Sequence, residues 1–271
     1  MSMPLSRPVS ALRGAQWLVN AYALFSRTPR TWMLLVLILL ALMIVTSLIP
    51  LVGPLAFSLM FPIFSAGLAQ AARVVDRGEV LEVQHLFAGF RASTSDLVAI
   101  GGVYLVGQLV ILGVMLAIGG RELQQLLAAG GRPPGQAALV LTGGVRMALV
   151  VGVAMLLPLL MATWYAPLLV FFHQQKLLVS LRASLRACLT NWVAFLVYVV
   201  ALLSIMIAVS LTVTVVSLVP FAGPVLALAG MGAALAVLAP IGFIAIYTSY
   251  IDVFAQGVEP DEASPDRVML P

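Results

Sequence analysis

From Thr31 to Ala72 the chain contains no Asp, Glu, Lys, Arg or His. The same holds for Leu97–Gly120, Met147–Phe172 and Trp192–Ile251. Runs of this length and composition belong in a bilayer. A helix that crosses the hydrocarbon needs about 20 mostly apolar residues, and inside lipid its backbone polar groups have to bond one another. Only 9% of the 271 residues are charged and 62% are hydrophobic. Soluble domains carry about 25% charged residues, so this chain cannot cover a globule with polar surface. A soluble enzyme, a nucleic-acid binder, a coiled coil and a disordered chain are excluded. The runs are also too long and too evenly apolar for the short alternating strands of a β-barrel.

Six spans follow, at residues 31–52, 54–75, 97–118, 147–172, 192–219 and 224–251. The expected fold class is all-α: a polytopic membrane bundle of six transmembrane helices in hairpins, with interfacial amphipathic helices. Residues 1–256 read as a single membrane domain. The tail at 257–271 carries Glu259, Asp261, Glu262 and Asp266 with three prolines, and reads as a disordered cytoplasmic end. The 30 residues before the first run are long for the charged leader of a signal peptide, so 31–52 reads as a retained helix. The loop between spans three and four holds a short helical stretch, Arg121–Ala129, and a turn-rich piece, Gly130–Gly135.

Basic residues set the orientation. Arg7, Arg13, Arg27, Arg30, Arg73, Arg77, Arg91, Lys176, Arg182, Arg186 and Arg267 fall on one side of the six-span scheme. Arg121, Arg132 and Arg146 fall on the other. The richer side is the cytoplasm, which puts both termini there.

An octet recurs. Ser47-Leu-Ile-Pro-Leu-Val-Gly-Pro54 returns as Ser217-Leu-Val-Pro-Phe-Ala-Gly-Pro224, each time between two spans. Trp32 and Trp192 open the spans before it, and Pro62-Ile63 and Pro240-Ile241 lie midway along the spans after it. Two related hairpins of like orientation account for this. Pro and Gly also make good tight turns without common ancestry.

An amphipathic stretch precedes each hairpin. Leu12, Ala15, Val19, Tyr22 and Ala23 form a stripe before span one, with Arg13, Gln16, Asn20 and Arg27 beside it. Leu86, Phe90, Ser93 and Leu97 do so before span three, with Arg91 alongside. Leu178, Leu181, Leu185, Cys188 or Leu189, and Trp192 do so before span five, with Arg182 and Arg186 on another face. Such helices lie in the interface with arginines toward phosphates. Arg13, Arg27, Arg91, Arg182 and Arg186 are therefore the expected lipid-headgroup contacts.

Motifs for chemistry are lacking. Ionisable groups inside spans mark ion and proton pathways, and these spans have none. His85 and His173 sit at the borders without metal-ligand spacing. Asp76 and Glu79 share a short loop with Arg73 and Arg77, where local pairing and helix capping account for them. The single cysteine, Cys188, cannot form an intrachain disulfide. Tyr104 and Gln108, four apart on one helix face, make a candidate polar patch, either for helix packing or for a solute headgroup. Pro62, Pro158, Pro167 and Pro240 can kink their helices. Small residues four apart, Gly67 and Ala71, Gly230 and Ala234, Gly232 and Ala236, permit close helix contact.

Asp76-Arg-Gly-Glu79, His85-Leu-Phe-Ala-Gly-Phe-Arg91, Thr163-Trp-Tyr-Ala-Pro-Leu-Leu-Val170 and Ser184-Leu-Arg-Ala-Cys-Leu-Thr-Asn191, with the paired octets, resemble an uncharacterised family of proteobacterial multi-pass inner-membrane proteins. More loosely the layout is similar to the membrane domain fused to some bacterial glycerophosphodiester phosphodiesterases, without their catalytic domain. The resemblance implies an inner-membrane location and transfers no catalytic residue. The functional expectation is a non-enzymatic protein without cofactor or metal. Its partners would be membrane lipids or other membrane proteins, and not nucleic acid. The alternative is a transporter or flippase-like carrier of a neutral or amphiphilic solute.

Overall fold

The computed structural model describes residues 6–50, 52–128 and 143–254. Its elements are α1 (Arg13–Arg27), α2 (Pro29–Ser47), α3 (Val52–Asp76), a 3-10 segment (Val83–Arg91), α4 (Thr94–Ala128), α5 (Gly143–Trp164), α6 (Ala166–His173), α7 (Leu177–Thr190), α8 (Trp192–Ser217) and α9 (Gly223–Phe254). No strand occurs among the described residues. Six stretches are long and apolar enough to cross a membrane: Pro29–Ser47, Val52–Asp76, Thr94–Ala128, Gly143–His173, Trp192–Ser217 and Gly223–Phe254. They match the six expected spans. The acidic tail at 257–271 and the 130–135 linker lie outside the described residues.

The repeated octet folds the same way twice. In the first copy Gly53 N–H donates to Ile49 O (3.0 Å) and Val52 N–H to Pro50 O (2.7 Å). In the second, Gly223 N–H donates to Val219 O (2.8 Å) and Ala222 N–H to Pro220 O (2.7 Å). Ser47 and Ser217 each return their hydroxyl to the carbonyl three residues back, at 2.6 Å. The glycines are obligatory. A Cβ on Gly53 would overlap the Thr46 carbonyl, and one on Gly223 the Ser217 carbonyl. The hairpins differ in length: α2 has 19 residues and α8 has 26.

The described residues form two compact units. The first draws on 6–37, 68–83 and 186–254, and its helices α1, α8 and α9 pack pairwise. Gly14 sets the approach of α1 to α8, because a Cβ there would overlap the Ala194 carbonyl oxygen and come within 2.8 Å of Tyr198 N. The stripe expected on α1 is its outer face: Leu12, Val19 and Tyr22 are exposed. The packed face is a second stripe, Gly14, Trp17, Leu18, Ala21, Leu24 and Phe25, at the three- and four-residue steps of a helix. At the far end of α3, Gly78 (φ 75°) makes the left-handed turn. Glu79 N–H then donates to Val74 O (3.0 Å) and Gly78 N–H to Val75 O (3.1 Å). This is a Schellman stop, so the glycine of Asp76-Arg-Gly-Glu79 has a backbone reason.

The second unit draws on 38–67 and 84–185. Here α4 packs on α5, and α6 on both. Ile63, Ala66, Leu97, Ile100, Ala166 and Val170 form one apolar cluster. The 3-10 segment lies tight on α3, since a Cβ on Gly67 would overlap the Leu86 carbonyl and one on Gly89 the Ile63 carbonyl. Gly67 thus makes the close contact its small size permits, but with a 3-10 segment. Gly232, by contrast, has nothing within 4 Å. α4 turns at Gly120 (φ 56°) and continues to Ala128, so the short helix expected at Arg121 is its last two turns.

The fourth span is not one continuous helix. It breaks at Tyr165, and α6 starts with Pro167 in its first turn, where a missing N–H costs nothing. The break is bridged by Ser184 of α7, fully buried. Its Oγ accepts from Tyr165 N–H at 2.9 Å and donates to Met161 O at 2.7 Å. Pro62, Pro158 and Pro240 lie inside helices that run on past them.

Two substitutions test this packing. Ser184→Ala removes both of these hydrogen bonds, each worth about 0.5–1.5 kcal/mol net; it should lower the melting temperature in detergent, and Ser184→Thr, which keeps the hydroxyl, should lower it less. Gly14→Val should detach α1, seen as faster hydrogen exchange across Arg13–Arg27 with α8 and α9 unchanged.

Candidate functional site

The described charge that lies deepest is on Asp252, in the last turn of α9 and 8% exposed. α9 has 32 residues, and about 20 suffice for the hydrocarbon, so its last turns reach the headgroup zone. A carboxylate there has to be paired. Both oxygens are. Oδ1 accepts from Arg7 Nη2 (3.0 Å) and from Arg13 Nη2. Oδ2 accepts from Arg13 Nε (2.8 Å) and from the buried Trp17 Nε1 (3.0 Å). Four donors fill the roughly four lone-pair sites of a carboxylate. Arg13 holds its proton even more firmly than an ordinary arginine, chiefly through this hydrogen bond.

The backbone around the carboxylate is bound as well. Arg7 Nε donates to Asp252 O (2.7 Å), and Arg7 N–H to Val253 O (2.9 Å). Cations at a helix C-terminus satisfy its last carbonyls and oppose its dipole. Asn191, at the start of α8, clamps the same arm: its Oδ1 accepts from Val9 N–H (2.7 Å) and its Nδ2 donates to Arg7 O (3.1 Å). Trp17 is held on three sides. Its indole N–H is on Asp252, its carbonyl accepts from Thr248 Oγ1 (2.9 Å), and its ring meets Phe195 edge-on at 5.3 Å and Tyr198 at 6.2 Å.

The other end of α1 is tied to α3. Arg27 Nη1 donates to Val75 O at 3.0 Å. Tyr247 of α9 donates its hydroxyl to Asp76 Oδ2 at 3.2 Å. α1 is therefore a bar joining the C-terminal ends of α3 and α9, the return helices of the two hairpins. Because Arg7 touches Asp252, these residues are on the same side of the membrane, and the number of crossings between them is even.

This arrangement divides the five arginines expected at lipid headgroups. Arg13 is committed to Asp252, and Arg27, though exposed, donates to Val75 O. Arg91, at the end of the 3-10 segment, and Arg182 and Arg186, on α7, are exposed. Tyr104 is half-buried and Gln108 exposed, one turn apart on α4. His85 and His173 are half-buried, and no three His, Cys, Asp or Glu side chains among the described residues could together hold a metal ion. A groove of about 200 Å³ lies between α8 and α9, lined by Val209, Thr212, Val213, Val216, Leu226 and Gly230. From sequence alone Arg7 is only a charge and Asn191 only part of a motif, and the one signal for Trp17 is the apolar stripe from Gly14 to Phe25; nothing local marks Asp252.

Over 195 residues the chain is 30% identical to a probable inner membrane protein of Burkholderia thailandensis, covering 70% of this chain and 72% of that protein. No protein-family model matches the chain, and no solved structure matches it. None of these comparisons supports the four motifs as family signatures or the likeness to the phosphodiesterase-linked membrane domain.

Removing the carboxylate tests the clasp. Asp252→Ala should destabilise by about 2–3 kcal/mol, below the 3–5 typical of a fully buried pair, because the guanidiniums are 43% exposed and rehydrate. Chemical unfolding in detergent measures it. Arg13→Ala should cost more than Arg7→Ala, since Arg13 reaches both carboxylate oxygens.

Proposed function

The chain belongs to the same family as the Burkholderia inner-membrane protein, and from that premise we propose that it performs no catalysis. It works by contact, with membrane lipids and membrane proteins as its partners and with residues 7 and 252 on the cytoplasmic side. The observation that carries this is the use to which Asp252 is put. Between Leu123 and Phe254 the sequence has no other carboxylate, and this one has no lone pair left for a proton or a metal. A general base needs a free acceptor within reach of its substrate. The polar groups that meet inside the protein, Ser184, Asn191, Thr248 and Asp252, are spent on holding helices. The orientation rests on the excess of Arg and Lys on one side.

A carrier of a neutral or amphiphilic solute is the second reading. The groove between α8 and α9 favours it. Its walls are apolar, and the hydroxyl of Thr212 is already given to Ala208 O at 2.9 Å.

Gentle isolation of the tagged chain in nanodiscs, with mass spectrometry of what comes with it, separates the two. The contact reading expects a stoichiometric membrane protein or an enriched lipid class, lost when the exposed arginines are neutralised. An enriched neutral solute that is retained by those variants and lost in Gly230→Leu overturns the contact reading and establishes the carrier.

A further inference from the structure

Resting on the contact reading, we propose that the outward face of α7 is a docking surface for anionic phospholipid headgroups. The rotation of α7 is fixed by two polar residues on one side. Ser184 bridges the break between α5 and α6, and Asn191, one residue beyond the helix, grips the Arg7–Val9 backbone. They are seven residues apart, two turns, and so share a face. Ser180, Ala187 and Cys188 are buried with them. The opposite face has no choice of direction. Leu178 (63%), Leu189 (55%) and Trp192 (58%) are exposed there, with Arg182 and Arg186 between them and Lys176 just before the helix.

Charge makes lipid phosphate the occupant. Arg182 and Arg186 stand one turn apart, about 6 Å along the axis. No Asp or Glu occurs between Leu123 and Ile251, and Asp252 is already filled by Arg7, Arg13 and Trp17. The three cations of this face have no acidic neighbour in sequence. Arg91 differs, with Asp96 in the next helical turn. Apolar residues around a pair of arginines suit the boundary of headgroup and acyl chain: leucines and tryptophan enter, and guanidiniums stop at phosphate level. Arginine also grips phosphate through two parallel hydrogen bonds.

The test uses the full chain in detergent micelles, titrated with phosphatidylglycerol or phosphatidylcholine and read by native mass spectrometry. The wild type should retain phosphatidylglycerol preferentially. Lys176→Gln, Arg182→Gln and Arg186→Gln should each weaken that retention about fivefold, on the order of one basic residue at an anionic surface, with melting temperature unchanged. Arg121→Gln with Arg146→Gln is the control and should leave it intact. A wild type that takes both lipids equally overturns the proposal, as does a triple variant that still discriminates, or a control pair that loses the preference as fully. None of these outcomes bears on whether a stoichiometric membrane protein co-purifies in nanodiscs, so the protein-partner arm of the contact reading stands or falls separately.

Discussion

One carboxylate in a poor solvent organises the first unit. Asp252 ends a span that carries no other charge, and at that depth an unpaired carboxylate is costly. Its demand for donors draws in Arg7, Arg13 and Trp17, which come from the opposite end of the chain. Everything else about α1 follows from meeting that demand. Gly14 lets the helix lie close on α8, Trp17 packs against Phe195 and Tyr198, and Arg27 arrives over the end of α3. Hydrophobic burial alone would not give α1 a unique position, because lipid solvates leucine as well as protein does. The polar contacts supply the register that apolar packing leaves open.

The same logic runs through the motifs that carried the family resemblance. Each contains a residue with a backbone task. Gly78 stops α3 in a left-handed turn. Gly89 lets the 3-10 segment press on Ile63. Pro167 restarts a helix after Tyr165, and Ser184, from another motif, closes the gap it leaves. Inside a membrane a broken helix has to be repaired by a neighbour.

Much of this was legible before the structure. Uncharged runs of the right length gave the six crossings, because lipid leaves little room for any other reading. The octet turns were legible because glycine and proline restrict the backbone locally. What escaped was tertiary. The exposed stripe Leu12, Val19 and Tyr22 and the packed stripe Gly14, Trp17, Ala21 and Phe25 are both apolar, and periodicity cannot say which meets lipid and which meets protein. Arg13 and Arg182 are equally basic, yet one is committed to Asp252 and the other faces outward. Only the partner, 239 residues away in the case of Arg13, distinguishes them. Ser184 shows no sign in sequence of being the bridge across a break in a different span.

The clasp also imposes an order in time. Arg7 and Asp252 are 245 residues apart, and at roughly 5–20 residues per second a ribosome takes about 10–50 s to make what lies between them. Throughout that interval the arm and α1 exist without their anchor, and every span but the last is inserted while they wait. The contact can close only when translation has nearly finished. A chain cut short anywhere before Asp252 leaves two arginines and an indole with nothing to hold. The contact between these two distant segments is thus the last to form, after every span but its own has been made.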